Sequence, residues 1–336
     1  MAKREFPMNA SRRHALGALG VAAAAPALAV QSAPIQNTPR STPKRMQDPR
    51  IDMPKPPFPA QQQPWPGLTS KMDARPDHGE TSYVGAGRLE GRKVLLTGGD
   101  SGLGRAAAIA FAREGADVAI NYLPAEESDA QEVVALIREA GRKAFAIPGD
   151  LRDETFCRKL VNQAAESLKG LDVLVNNAAR QAAKQSITEI STEQFDDTMK
   201  TNLYAMFWLT QEALKHMPPG ASIINTASVV AGDPPPHLLD YSTTKAGIVN
   251  FTLCLAKQLA GQGIRVNAIA PGPYWTPLQP SGGQLPKELP RFGADTPLGR
   301  PGQPAEIAPL FVLLASQDAS YCTGNILSST GGSGDV

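Results

Sequence analysis

Cysteine is scarce in this 336-residue chain: Cys157, Cys254 and Cys322 are odd in number, far apart and form no CxxC pair. That pattern offers neither a disulfide framework nor a zinc site, and all three thiols read as small buried apolar residues. Net charge is missing too, with 33 Lys+Arg against 32 Asp+Glu. There is therefore no electrostatic case for a nucleic-acid partner or a polybasic membrane surface. Nor does the N-terminal region hold a membrane-length apolar run. Ala15 to Val30 is uncharged but only 16 residues long and interrupted by Pro26, whereas a span needs about 20. The length suits one domain of roughly 200–250 residues plus extra segments.

Residues 1–29 read as an address. A basic start (Lys3, Arg4) leads through Ser11-Arg12-Arg13 into an Ala- and Leu-rich stretch ending in Ala27-Leu28-Ala29, a small-residue cleavage site. The paired arginines resemble a twin-arginine export signal, although Ala15 stands where Phe is usual. The resemblance implies export of an already folded protein to the periplasm by the twin-arginine machinery. An uncleaved membrane anchor, or a cytoplasmic protein with an Ala-rich tail, are the alternatives.

Residues 30–84 form a proline-rich arm, in which positions 31–80 hold 11 of the 30 prolines. Proline lacks an N–H and blocks helix and sheet ladders, so the arm should be extended. Residues 30 to 58 read as solvated linker. Trp65, Leu68, Met72 and Tyr83 are poor choices for a free linker, so the later arm is expected to pack on a globular surface or a neighbouring subunit.

From residue 85 to 336 the pattern is that of one globular domain. Buried strands are expected at Lys93–Thr97, Asp117–Asn121, Ala144–Pro148, Asp172–Asn176, Ala221–Thr226 and Ile264–Ala270. Helices are expected between them at Gly102–Glu114, Glu126–Ala140, Asp153–Lys169, Thr192–His216 and Tyr241–Ala260. In the third of these, Phe156, Leu160, Val161, Ala164 and Leu168 make one apolar stripe at the 3.6-residue period. Strict alternation implies an α/β fold with a doubly wound parallel sheet and helices on both faces. Such a sheet binds ligands at the carboxyl ends of its strands.

The first strand runs into Gly98-Gly99-Asp100-Ser101-Gly102-Leu103-Gly104 and then a helix. Glycines let this backbone approach a pyrophosphate, and the helix N-terminus supplies free N–H groups and a positive dipole end. Further on lie Asn176-Asn177-Ala178-Ala179, Asn202, Ser228, Tyr241-Ser242-Thr243-Thr244-Lys245 and Pro271-Gly272. Together, in this order and at these spacings, they resemble the short-chain dehydrogenase/reductase family over about residues 85 to 332. The arm and the strings GDSGLGR, NYLPAEE, HLLDY and APGPYWTPLQPSGGQ resemble its branch of glucose/ribitol-type dehydrogenases and bacterial aldehyde reductases.

The resemblance implies a single Rossmann-type domain that uses NAD(P)(H) to interconvert a small carbonyl compound and its alcohol. Carbonyl reduction needs a hydride on one face and a proton for the developing alkoxide. Tyr241 would supply the proton, and Lys245, one helical turn on, would favour its phenolate. By resemblance Lys245 also holds the nicotinamide ribose, Ser228 binds the substrate oxygen and Asn202 holds a relay water. Gly98, Asp100, Ser101, Gly102, Leu103 and Gly104 are then the pyrophosphate cradle. Asn121 stands at the adenosine ribose, Asp150 and Leu151 at the adenine, and Asn177 and Ala178 at a strand end touching the cofactor. Pro271, Gly272 and Thr276 stand at the carboxamide. A helix cap is an equally physical role for Asp150 or Asp153, and Ala179 replaces a usual Gly.

Asn121 stands where NAD enzymes usually carry a carboxylate, which favours NADP(H). Residues 273–300, with Tyr274, Trp275, Leu278 and Phe292, read as a substrate lid. His237 either orients substrate or merely caps. The family also implies a homotetramer, with helices 192–216 and 241–260 at one interface. A polyol dehydrogenase working oxidatively shares every catalytic residue, and a sensor that binds cofactor without turnover is the non-enzymatic alternative. No metal is called for.

Overall fold

A computed structural model of the chain describes residues 46–334. The export-signal reading and the first part of the arm lie outside the described residues. Seven parallel strands form one sheet in the order β3-β2-β1-β4-β5-β6-β7. They are β1 (Lys93–Thr97), β2 (Asp117–Tyr122), β3 (Ala144–Pro148), β4 (Val173–Asn176), β5 (Ser222–Thr226), β6 (Arg265–Pro271) and β7 (Ile326–Ser329). The order reverses between β1 and β4, so the crevice beyond Thr97 and Asn176 is the place where this topology opens for a ligand.

Helices cover both faces, as expected of a parallel sheet whose strands are apolar throughout. One layer holds α1 (Gly102–Arg113), α2 (Glu127–Glu139) and α7 (Pro304–Ala315); the other holds α3 (Glu154–Leu168), α5 (Ala205–Ala213) and α6 (Leu239–Leu259), with α4 (Thr192–Met199) leading into α5. The run Ala106-Ala107-Ala108 with Ala110 and Ala112 is fully buried in α1. Such small side chains let this helix lie close to both sheet and α7.

The structure differs from the sequence reading at four places. The expected helix over 192–216 is broken into α4 and α5 by a π-turn at Lys200–Tyr204. Helix α7 was not foreseen as an element. The α7 segment carries Pro309 and is apolar on nearly every side: Ile307, Ala308, Phe311 and Val312 are buried in the core, and the outward positions Pro309, Leu310 and Leu313 are apolar too, so no polar face marks a helical period. Only Cys157 is buried, while Cys254 lies exposed on α6 and Cys322 is partly so. Finally, the solvated reading of the arm fits the exposed or half-buried residues 46–57 but ends short of 58. Phe58 is buried and stacks on Trp275 with ring centroids 4.0 Å apart, and Arg300 Nε donates to Pro49 O at 2.8 Å.

Where the arm ends, a buried carboxylate fastens it. Glu114, at the end of α1, accepts from Tyr83 Oη at 2.7 Å, Ala86 N at 2.8 Å, Arg88 N at 3.0 Å and the Arg88 guanidinium at 2.6 Å. These donors stabilise the charged form and hold the carboxyl at about 2, against burial. A carboxyl depressed in the folded state adds stability above its unfolded value, and that stability is lost as pH falls toward the folded value. At neutral pH, Glu114→Ala is expected to cost about 3 kcal/mol in urea unfolding. The gap to wild type should close below pH 4.5 as the solution approaches pH 2; a gap independent of pH would refute the assignment.

Candidate active site

A cavity of about 370 Å³ opens at the carboxyl ends of β1, β2, β4, β5 and β6. The glycine loop forms its floor. Gly98 takes φ +64°, and a Cβ on Gly104 would meet Gly98 O at 1.9 Å, so loop and helix touch backbone to backbone. No side chain caps the start of α1, which leaves its first N–H groups free to meet an anion. Gly98, Asp100, Ser101, Gly102 and Leu103 line the cavity. Gly104 lies beneath them, giving the loop room rather than touching the space.

The opposite wall carries the chemistry. Ser228 lies two residues beyond β5, where its Oγ donates to Pro271 O and accepts from Val230 N, both at a long 3.4 Å. So loosely held a hydroxyl can re-aim at a ligand oxygen. Tyr241 and Lys245 reach the cavity from the first turns of α6. Burial pushes the Tyr241 phenol up, and its hydrogen bond with Ser228 acts against that. Lys245 is almost fully buried; its Nζ donates to Thr226 O at 2.6 Å and sits 5.3 Å from the Tyr241 ring centroid. Desolvation brings this ammonium down to about 7. The expected lowering of the phenol by Lys245 is not found: burial dominates, and Ser228 is the group that opposes it.

Asn202 falls on the π-turn, a form that recurs where helices serve a site. It does not line the large cavity. Its Oδ1 accepts from Arg180 N at 2.8 Å, and its Nδ2 donates to Arg180 O at 3.0 Å and Thr244 Oγ1 at 3.0 Å. The side chain thus fixes the strand-end segment after β4 from behind, and its amide is spent there. Asn177 and Ala178 line the cavity, while the Asn176 amide turns away to Asn225 and Thr210. Pro271, Gly272 and Thr276 form the far end.

At the β2 end the amide of Asn121 is also occupied, donating to Ile147 O at 3.1 Å and Gly149 O at 3.2 Å. The charge-bearing groups beside it are Asp100 and Glu126, both of which line the cavity. Burial raises both, Asp100 to about 7 with the charge of Asp129 adding to it, and Glu126 to about 8 with the charges of Asp100 and Asp129 adding. The sequence reading took Glu126 as a mere first-turn residue; its carboxylate does accept from Leu123 N at 2.8 Å, yet it also faces the cavity. Asp150 and Leu151 line the cavity, with Asp150 paired to Arg152 at 2.7 Å. The cap of α3 is Asp153, which accepts from Thr155 N at 2.8 Å, so the choice between the two aspartates is resolved. His237, Gln181 and the arm residues Trp65, Pro66 and Gly67 complete the lining. Nothing in a proline-rich stretch announces that last contribution except the aromatic ring itself.

A glycine-floored crevice at the β1/β4 reversal, facing a Ser, Tyr and Lys set, defines a nicotinamide-dependent oxidoreductase of the parallel α/β type. The comparisons make this specific. Residues 98–333 match the family profile described as enoyl-(acyl carrier protein) reductase. The chain is 57% identical over 275 residues to the uncharacterized oxidoreductase YghA of Escherichia coli, covering 82% of this chain and 94% of that one. It is 43% identical over 279 residues to the glucose and ribitol dehydrogenase of Daucus carota, covering 82% and 96%. Among solved structures, a short-chain dehydrogenase from Burkholderia cenocepacia in complex with NADP superposes with TM-score 0.68 at 34% identity, covering 73% of this chain and 98% of that one. The chain belongs to the short-chain dehydrogenase/reductase family and is an NAD(P)-dependent oxidoreductase.

Proposed function

We propose that the protein reduces a small uncharged aldehyde or ketone to its alcohol, with NADPH as hydride source and Tyr241 as proton donor. The observation that carries this reading is the convergence of Tyr241, Ser228 and Lys245 on one cavity wall, opposite the uncapped start of α1. Reduced nicotinamide bound along the cavity supplies the hydride. Ser228 orients the carbonyl oxygen, and Tyr241 delivers its phenolic proton as negative charge develops there. Lys245, near its titration point at neutral pH, places a cation against the ring at the moment the phenolate forms. Asn202 acts as a positioning residue for the segment that faces the cofactor.

The substrate end supports an uncharged ligand. Apart from Lys245, no Lys or Arg lines the cavity among the described residues, and its carboxyls are at the ribose end. What remains is amide, hydroxyl and aromatic surface: Gln181, Gln279, Gln284, Ser281, His237 and Phe292. Those amides would equally pair with the hydroxyls of a sugar or polyol, which with the carrot relative's name supports the oxidative direction as a second reading. The same groups serve both directions, so Tyr241→Phe separates either from a cofactor-binding sensor. Nicotinamide absorbance with a panel of short aldehydes, ketones and sugars should show turnover reduced about 10²- to 10⁴-fold, with cofactor affinity kept. Equal turnover in both proteins would sink the proposal.

The preference for NADPH depends on protonation. With no cation beside Asn121, a 2′-phosphate is tolerated while Asp100 and Glu126 are protonated and repelled once they ionise. Asp129 and Arg105 also act on the pair, the first raising and the second lowering Asp100. As pH rises through about 7 to 8, KM for NADPH should climb while KM for NADH stays nearly flat. Steady-state kinetics with both cofactors across that window, with Asp100→Asn as the flattened control, checks the sign; a ratio that falls with pH would be decisive against it.

We further propose export of the folded chain by the twin-arginine route and assembly as a homotetramer. The exposed Phe195, Tyr204, Phe207 and Leu253 on the α4, α5 and α6 faces support assembly through those helices. A monomeric mass in light scattering, or periplasmic recovery unaffected by replacing Arg12 and Arg13 with Lys, would overturn the respective half.

A further inference from the structure

The arm does more than cover the fold. Trp65, Pro66 and Gly67 line the cavity, and the chain carrying them crosses its mouth from one side to the other. On the α2 side, Thr69 N and Ser70 N donate to the buried carboxylate of Asp129 at 2.5 and 3.3 Å. On the β4 side, the Arg180 guanidinium lies 4.6 Å from the Trp65 ring centroid, a cation–π contact. Between them the arm rests on the segment 277–284. Gln63 N donates to Pro280 O at 3.0 Å, and a Cβ on Gly67 would meet Pro277 O at 2.6 Å.

That segment is itself closed over the crevice. Ala183 N donates to Gly282 O at 2.8 Å, and Gln181 Nε2 to Gly283 O at 2.5 Å. A second layer therefore lies across the first. The Gln63 side chain joins the two ends of the Trp65 loop, donating to Leu68 O at 3.1 Å and accepting from Leu68 N at 2.8 Å. Farther anchors hold the arm on both sides: Phe58 stacks on Trp275, and Trp275 Nε1 donates to Ala74 O at 2.6 Å.

We propose that the Trp65 loop is part of the nicotinamide dinucleotide site and acts as a strap that slows cofactor exchange. The inference rests on the family's use of that cofactor and deepens the proposed function, but does not require any particular substrate. For a dinucleotide of this length to leave a crevice running along the strand ends, the 277–284 segment must lift. It cannot lift while Gly67 and Gln63 bear on it. Opening thus couples to release of the arm's docking contacts, and local opening of a well-anchored segment is slow compared with loop motion. Trp65 is the keystone, because its ring joins the arm to Arg180, whose backbone Asn202 holds.

The test is displacement of NADPH, followed by stopped-flow fluorescence when the loaded full-length protein is mixed with excess NADP. Trp65→Ala removes the ring from its seat over Arg180, and Gln63→Ala opens the loop without touching a buried apolar contact. Both are expected to release NADPH at least tenfold faster than wild type, with unchanged circular dichroism. Tyr321→Ala, at an exposed position outside the cavity lining, should release it at the wild-type rate. Release within twofold of wild type in both arm variants would overturn the strap. Slow release in wild type together with undiminished turnover in Tyr241→Phe would instead overturn the catalytic proposal and leave the strap standing.

Discussion

Asn177 is the residue on which the geometry of the crevice depends. Its Nδ2 donates to Thr97 O at 3.1 Å and Gly98 O at 3.2 Å, its backbone N donates to Thr97 Oγ1 at 3.0 Å, and its Oδ1 accepts from Thr226 Oγ1 at 3.3 Å. One side chain thus ties the ends of β1, β4 and β5. Parallel strands that diverge at a topological reversal leave backbone groups without ladder partners there. The amide satisfies them and, in doing so, sets how far the glycine loop stands from the opposite wall. Lys245 completes the chain by donating to Thr226 O, so the wall that carries Tyr241 and the glycine floor share one hydrogen-bonded frame.

The titratable groups around that frame are held away from their ordinary ranges, a pattern that clusters at functional sites. Lys245 is brought down toward neutrality by burial, Tyr241 is pushed up, and Asp100 and Glu126 are raised at the far end. Each cause is desolvation first. The Asp100 Oδ2 is buried without a hydrogen-bond partner, a cost of about 1–3 kcal/mol in an apolar setting. Structural carboxylates elsewhere show the opposite: Glu114 is depressed by four donors from the arm's end. The contrast separates groups arranged for stability from groups arranged for function within one molecule.

The parallel α/β architecture was legible because strand and helix periods alternate clearly from Lys93 to Pro271. The grouping of Ser228, Tyr241 and Lys245 on one cavity was legible because the three carry polar chemistry at fixed spacing beside a strand end and a helix start. What escaped followed from context. Helix α7 has no polar face to reveal a period, since the outward Pro309, Leu310 and Leu313 are as apolar as the buried Ile307, Phe311 and Leu314. The π-turn at Asn202 has no local signature, for it is set by the amide's three bonds to Arg180 and Thr244. Glu126 looked like a first-turn helix residue and is one, but its exposure to the crevice depends on Asp100 from a strand-end loop 26 positions away.

The arm is the instructive case. Proline-rich composition correctly predicts that no helix or sheet forms there, but absence of secondary structure is not absence of a fold. A proline-rich chain has fewer conformations to lose on docking, so a few aromatic anchors suffice to seat it. Phe58, Trp65 and Met72 are spaced along the segment and meet the body at two places: Phe58 and Met72 join the Trp275 cluster, and Trp65 between them meets Arg180. An extended segment fixed in this way can reach across a crevice that a helix of the same number of residues would be too short to span. Stiffness, reach and intermittent anchoring are together what a strap requires, and the same composition that reads as a linker in isolation supplies all three once the surface beneath it is known.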